Sequence, residues 1–114
     1  DMVIRGGENI YPREIEEFLH HHEKISDVYV VGVPDIKYGE ELCAWVKVKA
    51  GQALTDNEVK DFCKGKIAHF KIPRYVLFVN EFPINISGKI QKYLMREESI
   101  KKLGLEAAEN IKTA

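Results

Sequence analysis

The sharpest chemical feature of the sequence is a lysine that follows a serine–glycine turn, in Asn85-Ile86-Ser87-Gly88-Lys89-Ile90 just after Pro83. Glycine lets the backbone turn tightly, and the lysine can then project from the tip as a compact point charge suited to a carboxylate or a phosphate. The plainer alternative is a solvated lysine on a loop, since the pattern is not the phosphate-binding GxxxxGK[ST]. Asn85-Ile86-Ser87 also spells a glycosylation sequon, read here as coincidental. Gly6-Gly7 is the second candidate, because paired glycines permit either close backbone approach to a ligand or simply a turn. The third is His69-Phe70-Lys71-Ile72-Pro73-Arg74, where an aromatic among cations could stack on a base while the cations meet phosphates. It could equally be a core phenylalanine beside a solvated face. His20, His21 and His22 suggest a metal cluster only at first sight. Consecutive helical positions point in different directions, so no shared metal site is expected.

These groups sit in a chain of 114 residues with a formal net charge of -1 and 31% charged residues. That length suits one domain able to bury a core without metals or disulfides. Near-neutral charge gives no argument for nucleic-acid binding, but the distribution is uneven. Lys60, Lys64, Lys66, Lys71 and Arg74 face a single acid, Asp61, and a second basic run follows at Lys89, Lys92 and Arg96. The first third carries Glu8, Glu14, Glu16 and Glu17. One face is therefore expected to attract a polyanion. Cys43 and Cys63 belong to no CxxC motif and fall in apolar patterns. Both read as free core thiols in the cytoplasm or another reducing intracellular compartment. No signal peptide pattern or apolar run long enough to cross a bilayer is present. Asp1-Met2-Val3-Ile4 opens as if in mid-fold, and an excised fragment is the expectation.

The elements that must position these residues follow from periodicity and punctuation. Met2–Arg5 predicts a short strand running into the Gly6-Gly7 turn. Pro12, Glu14 and the spacing of Ile15, Phe18, Leu19 and His22 predict a helix over roughly 12–22. Val28–Val33 predicts a strand buried on both faces. Leu42–Val48 predicts a strand with two unlike faces, antiparallel to the previous one. Thr55-Asp56-Asn57-Glu58 is a capping box opening a helix through Val59, Phe62, Cys63 and Ile67. Tyr75–Val79 predicts another strand, reached by that helical crossover. Leu94, Ile100 and Leu103 predict a last helix. The order implies an α/β (α+β) domain over 1–104, a small mixed sheet with packed helices, followed by a tail over 105–114 expected to fray.

Taken together, the chain resembles the C-terminal domain of the adenylate-forming superfamily: acyl-CoA synthetases, nonribosomal-peptide adenylation domains and beetle luciferases. The resemblance rests on an ordered set of motifs. These are Asp1–Pro12 (DMVIRGGENIYP) with Glu14-Ile15-Glu16, then Val31-Gly32-Val33-Pro34-Asp35 with Gly39-Glu40, then Phe70-Lys71-Ile72-Pro73, then Pro83 with Ser87-Gly88-Lys89-Ile90. It extends from Asp1 to about Arg96, and the GGENIYP wording is most similar to medium-chain fatty acyl-CoA synthetases.

The resemblance implies a mobile lid domain partnered by a larger N-terminal domain that binds the carboxylic acid and ATP with Mg2+. Acid and ATP would give acyl-AMP and pyrophosphate, and CoA would then give acyl-CoA and AMP. Lys89 matches the lysine of the first step, and Gly7 the glycine facing the pantetheine tunnel in the second. Tyr38 and Phe70 fall where relatives place aromatics against CoA. Lys71 and Arg74 are candidates for its phosphates. The family's hinge residue would precede Asp1, and the phosphate-binding loop and acid pocket belong to the larger domain, so the acid is not legible here. Three alternatives stay open. One is an adenylation domain serving a carrier protein, another is a non-catalytic nucleotide- or CoA-binding module, and the third is an interaction domain in which Lys89 and Gly7 have no role.

Overall fold

The computed structural model describes residues 1–113, with side chains described through Asn110. Two strands, β1 (Val3–Arg5) and β2 (Glu8–Ile10), form an antiparallel hairpin closed by Gly6 and Gly7. The sequence pattern anticipates β1 but not β2, whose three residues include one buried side chain, Ile10. Helix α1 follows at Pro12–Leu19, with proline in its first turn and Ile15 and Leu19 on its buried face. It is shorter than expected. At its end His21 N and His22 N donate to Phe18 O and Leu19 O, three residues back, which tightens and closes the helix.

A three-stranded sheet forms the centre, in the order β3-β4-β5. Strands β3 (Ile25–Asp35) and β4 (Gly39–Val48) are antiparallel, and β5 (Tyr75–Phe78) runs parallel to β4, so the sheet is mixed. Pro34 lies within β3 and is tolerated because β3 is an edge strand. The parallel return to β5 requires a crossover, supplied by α2 (Asp56–Cys63) and a 3₁₀ turn at His69–Lys71. Thr55 caps α2 as its sequence predicts. Its hydroxyl accepts from Glu58 N at 3.2 Å while Glu58 Oε1 accepts from Thr55 N at 2.9 Å.

Both faces of the sheet are covered. Val28, Val30, Leu42, Ala44 and Val46 pack with Ile15 and Leu19 of α1, Val59 and Cys63 of α2, and Val3 and Ile10 of the hairpin. On the other face Val31, Val33, Cys43 and Trp45 pack with Met95 of α3 (Lys92–Leu103). The unlike faces expected of β4 are thus both buried from Leu42 to Val46. Helix α3 also turns a different face inward than Leu94 suggested. Leu94 is 39% exposed, and Met95, Ser99 and Ile100 are buried. Ser99 explains the choice, because its hydroxyl accepts from Trp45 Nε1 at 2.8 Å and donates to Met95 O at 2.7 Å. Gly104, at φ 67, ends α3 in the left-handed conformation. Beyond Gly104 the chain forms a further helix, α4 (Glu106–Thr113), with Ala108 buried.

Candidate functional site

Lys89 stands on a short loop that closes on itself. Ile84 and Ile90 form an antiparallel bridge. Asn85 N donates to Lys89 O, and Gly88 N to Asn85 O, each at 2.9 Å. Gly88 takes φ 81, a conformation glycine adopts without penalty. The loop rises from the surface with little apolar support, since Ile84 is 60% exposed and Ile86 fully so. The Lys89 side chain is exposed, and its ammonium has no partner among the described residues. Three residues on, Lys92 Nζ bridges Asp1 Oδ2 at 2.6 Å and Glu16 Oε2 at 2.7 Å. Glu16 Oε2 also accepts from Val30 N at 2.8 Å. The base of the Lys89 loop is therefore fastened to α1, β3 and the start of the chain. Read from sequence, Lys92 was only part of a basic run.

Gly6 and Gly7 form the two-residue turn of the first hairpin at φ 56 and φ 86. Positive φ at both positions is what a type I′ turn requires, which explains the pair. The two glycines differ in their surroundings. A Cβ on Gly6 would lie 3.1 Å from Tyr38 Cδ1, whereas a Cβ on Gly7 would meet nothing within 4 Å. Gly6 is thus the packing glycine, and Gly7 faces open space. Tyr38 is brought to the same corner: Gly6 N donates to Tyr38 O at 2.9 Å, and the Arg5 guanidinium lies 3.8 Å from the Tyr38 ring centroid. Asp35 Oδ2 accepts from Lys37 N and Tyr38 N and fixes the β3–β4 turn from the other side.

Behind this corner is a carboxylate that sequence patterning did not single out. Glu41, only 3% exposed, accepts from Arg5 Nε at 2.7 Å, with Arg74 Nη1 3.8 Å away. The hydrogen bond to Glu41 raises the Arg5 pKa above its ordinary value, so the guanidinium is firmly charged. Arg74 reaches Asp35 Oδ1 at 3.9 Å and remains half-exposed, so the structure brings it to the Tyr38 corner. Lys71 is elsewhere engaged, its ammonium 2.8 Å from Glu14 Oε1. Phe70 is half-buried and packs on the core, with Lys71 Nζ 5.9 Å from its ring centroid.

Both cysteines are buried free thiols. Burial pushes Cys43 up to about 12 and Cys63 to about 11, so neither is a nucleophile at neutral pH. The three histidines diverge. His20 Nε2 lies 3.4 Å from Asp27, His21 Nδ1 is 2.9 Å from Glu17 O, and His22 packs edge-on against Phe62. Among the described residues no group of three or more His, Cys, Asp or Glu is placed to hold a metal ion, and no helix is long and apolar enough to cross a membrane.

Comparison with known proteins gives this geometry a family. Residues 14–89 match the family described as AMP-binding enzyme C-terminal domain. The match contains Tyr38, Phe70, Lys71 and Arg74 and ends on Lys89. The chain is 59% identical over 105 residues to the medium-chain acyl-CoA ligase ACSF2, mitochondrial, of Danio rerio, covering 92% of this chain and 17% of that protein. Among solved structures, apo MatB from Rhodopseudomonas palustris superposes with a TM-score of 0.84 at 37% identity, over 87% of this chain and 20% of that one. The Mycobacterium tuberculosis fatty acyl CoA synthetase gives 0.77 at 39% identity, over 86% and 19%. The chain thus spans about a fifth or less of the length of these relatives. It belongs to the family of AMP-binding enzyme C-terminal domains, and the relatives it resembles include an acyl-CoA ligase and a fatty acyl CoA synthetase.

Proposed function

We propose that this domain is the mobile lid of an ATP-dependent ligase that joins a carboxylic acid, of the fatty class, to CoA through an acyl-adenylate. The observation that carries the proposal is the Lys89 loop: an exposed ammonium with no partner among the described residues, within a domain whose relatives include acyl-CoA ligases. In the first half-reaction the acid carboxylate attacks the α-phosphate, so negative groups must approach one another. An ammonium delivered between them neutralises charge that grows in the transition state. Mounting it on a lid lets it arrive with bound substrates and withdraw afterwards.

The Gly7 corner serves the second half-reaction in this reading. The open space before Gly7 admits the thin pantetheine arm, with the Tyr38 ring beside it. Arg74 and Phe70 are the proposed contacts for the nucleotide end of CoA. Lys71 could join them only by leaving Glu14, which makes it the weakest member of the set. MgATP and the acid are assigned mainly to an N-terminal domain of the same enzyme, and this domain alone is assigned no activity. The buried free thiols suit the cytoplasm or another reducing intracellular compartment.

The test is an assay of the full chain containing this domain, with ATP, CoA and a panel of carboxylic acids. Formation of AMP and thioester that requires both CoA and a fatty acid is the expected result. The 114-residue domain alone should form no thioester. A full chain that transfers acyl groups only to a carrier protein, or that turns over no acid, would overturn the reading.

A further inference from the structure

The Lys89 loop poses a physical problem, because burial cannot fix its shape. Ile84 and Ile86 point to solvent and Asn85 through Lys89 are exposed. A lysine that must meet a small target from such a loop needs its backbone held by something other than packing. The hydrogen bonds name the group. Asn85 Oδ1 accepts from Ser87 N at 2.9 Å and from Lys89 N at 3.0 Å. The Asn85 main chain completes the grip, its N–H donating to Lys89 O and its carbonyl accepting from Gly88 N. Gln91 adds a longer bond from Nε2 to Lys89 O at 3.2 Å. Both main-chain polar groups of Lys89 are thus held by Asn85, and the side-chain amide oxygen is the part that another residue type would remove.

We infer that Asn85 is a positioning residue for Lys89, fixing the direction in which the ammonium leaves the loop. The inference rests on the proposed role of Lys89 in adenylate formation. Without the amide oxygen the Ser87 and Lys89 N–H groups turn to water, which costs an exposed loop little stability, but the loop then samples several shapes. Misplacement of a catalytic group by about 1 Å can lower a rate by about a hundredfold.

The experiment uses the full chain containing this domain. Asn85→Ala should lower kcat for acid-dependent ATP–pyrophosphate exchange by roughly 10- to 100-fold. KM for ATP and acid, thioester formation from preformed acyl-AMP plus CoA, and the melting temperature should stay near wild type. Asn85→Asp or Asn85→Ser, which keep an acceptor at this position, should recover most of the exchange rate. Lys89→Ala, run beside them, separates the two levels of the argument. Normal exchange in Lys89→Ala would remove the reading on which the inference rests. Loss in Lys89→Ala with normal exchange in Asn85→Ala would sink the positioning role and leave that of Lys89 intact. Equal loss of both half-reactions in Asn85→Ala, a lowered melting temperature, or failure of both Asp and Ser to rescue would make Asn85 merely structural.

Discussion

At the Gly7–Tyr38 corner, a hairpin turn is tied to the sheet by a main-chain bond, a guanidinium stacked on an aromatic ring and a carboxylate 3% exposed. At the Lys89 loop, an exposed turn is shaped by its own hydrogen bonds and joined to the body at its base, through Lys92 and the partly buried Ile90. The first arrangement suits a wall past which a ligand must slide, because a wall must not move relative to the core. The second suits a probe inserted into another domain's site, because a probe must be narrow and project. If the two regions serve the two half-reactions, damage to each should be separable, and the separation should follow how each is built.

The largest effect is expected at the probe. Lys89→Ala in the full enzyme should lower adenylate formation by about 10²–10³, roughly 3–4 kcal/mol, by analogy with loss of one transition-state donor. Acyl transfer from preformed acyl-AMP to CoA should be spared. Equal loss in both assays would place Lys89 in folding or domain closure and collapse the comparison.

Gly7→Leu should do the reverse, letting acyl-AMP accumulate while acyl-CoA output falls. Gly7→Ala is the control. Both substitutions strain a residue at φ 86, by about 1–2 kcal/mol. A Cβ there meets nothing within 4 Å, so alanine isolates the backbone strain, and an additional loss from leucine at an unchanged melting temperature would come from a ligand or another domain. Equal damage from alanine and leucine would leave Gly7 as a turn residue only.

Much of this contrast was legible in the sequence, and what was hidden has a common cause. The Ser87-Gly88-Lys89 turn, the Thr55 capping box and the β-branched run of β3 are local signals, and each forms as its neighbours dictate. Arg5 and Glu41 are separated by 36 residues, and nothing near either announces the other. The same holds for Ser99, whose burial depends on the indole of Trp45 54 residues away. Apolarity alone does not orient α3: Leu94 faces outward, while Trp45 Nε1 needs an acceptor and holds Ser99 inward. The pairing of β2 with β1 is local, but three residues with one buried side chain are too few for a periodicity to show.

A middle-sized effect is expected from the wall's foundation. Arg5→Ala leaves Glu41 almost fully buried, with Arg74 3.8 Å away as its remaining cation. Removing one partner of a buried ion pair typically costs about 3–5 kcal/mol. Arg5 is partly exposed, so the lower end, about 3 kcal/mol, is expected in urea unfolding of the domain. Arg5→Ala in the full enzyme should also raise KM for CoA more than it alters pyrophosphate exchange, because the Tyr38 ring loses the group stacked on it. An unchanged KM for CoA would remove Tyr38 from the wall.

The smallest effect is the control for all the others. Helix α2 carries none of the proposed site residues, yet it packs Val59 and Cys63 into the same core as the Gly7 hairpin. Thr55→Ala removes the hydroxyl that accepts from Glu58 N, which typically costs about 1 kcal/mol. For a domain of about 100 residues that lowers the melting temperature by roughly 4–8 °C. The box also has a pH signature. The Thr55 backbone N–H bond, followed by its side-chain bond, holds the Glu58 carboxyl below its usual pKa. A depressed carboxylate stabilises the fold above its unfolded pKa, and that contribution fades as pH falls through the folded value. The backbone bond survives Thr55→Ala, so the gap between wild type and Thr55→Ala should shrink in acid only by the part owed to the hydroxyl–carboxylate bond, while the part owed to the Glu58 N–H cap persists, as followed by melting curves. At neutral pH and a temperature well below melting, both half-reactions should keep their wild-type ratio. If Thr55→Ala instead depressed one half-reaction selectively, lost stability alone could mimic the pattern assigned to Lys89 and Gly7. The separation of wall and probe would then need a measure other than rate.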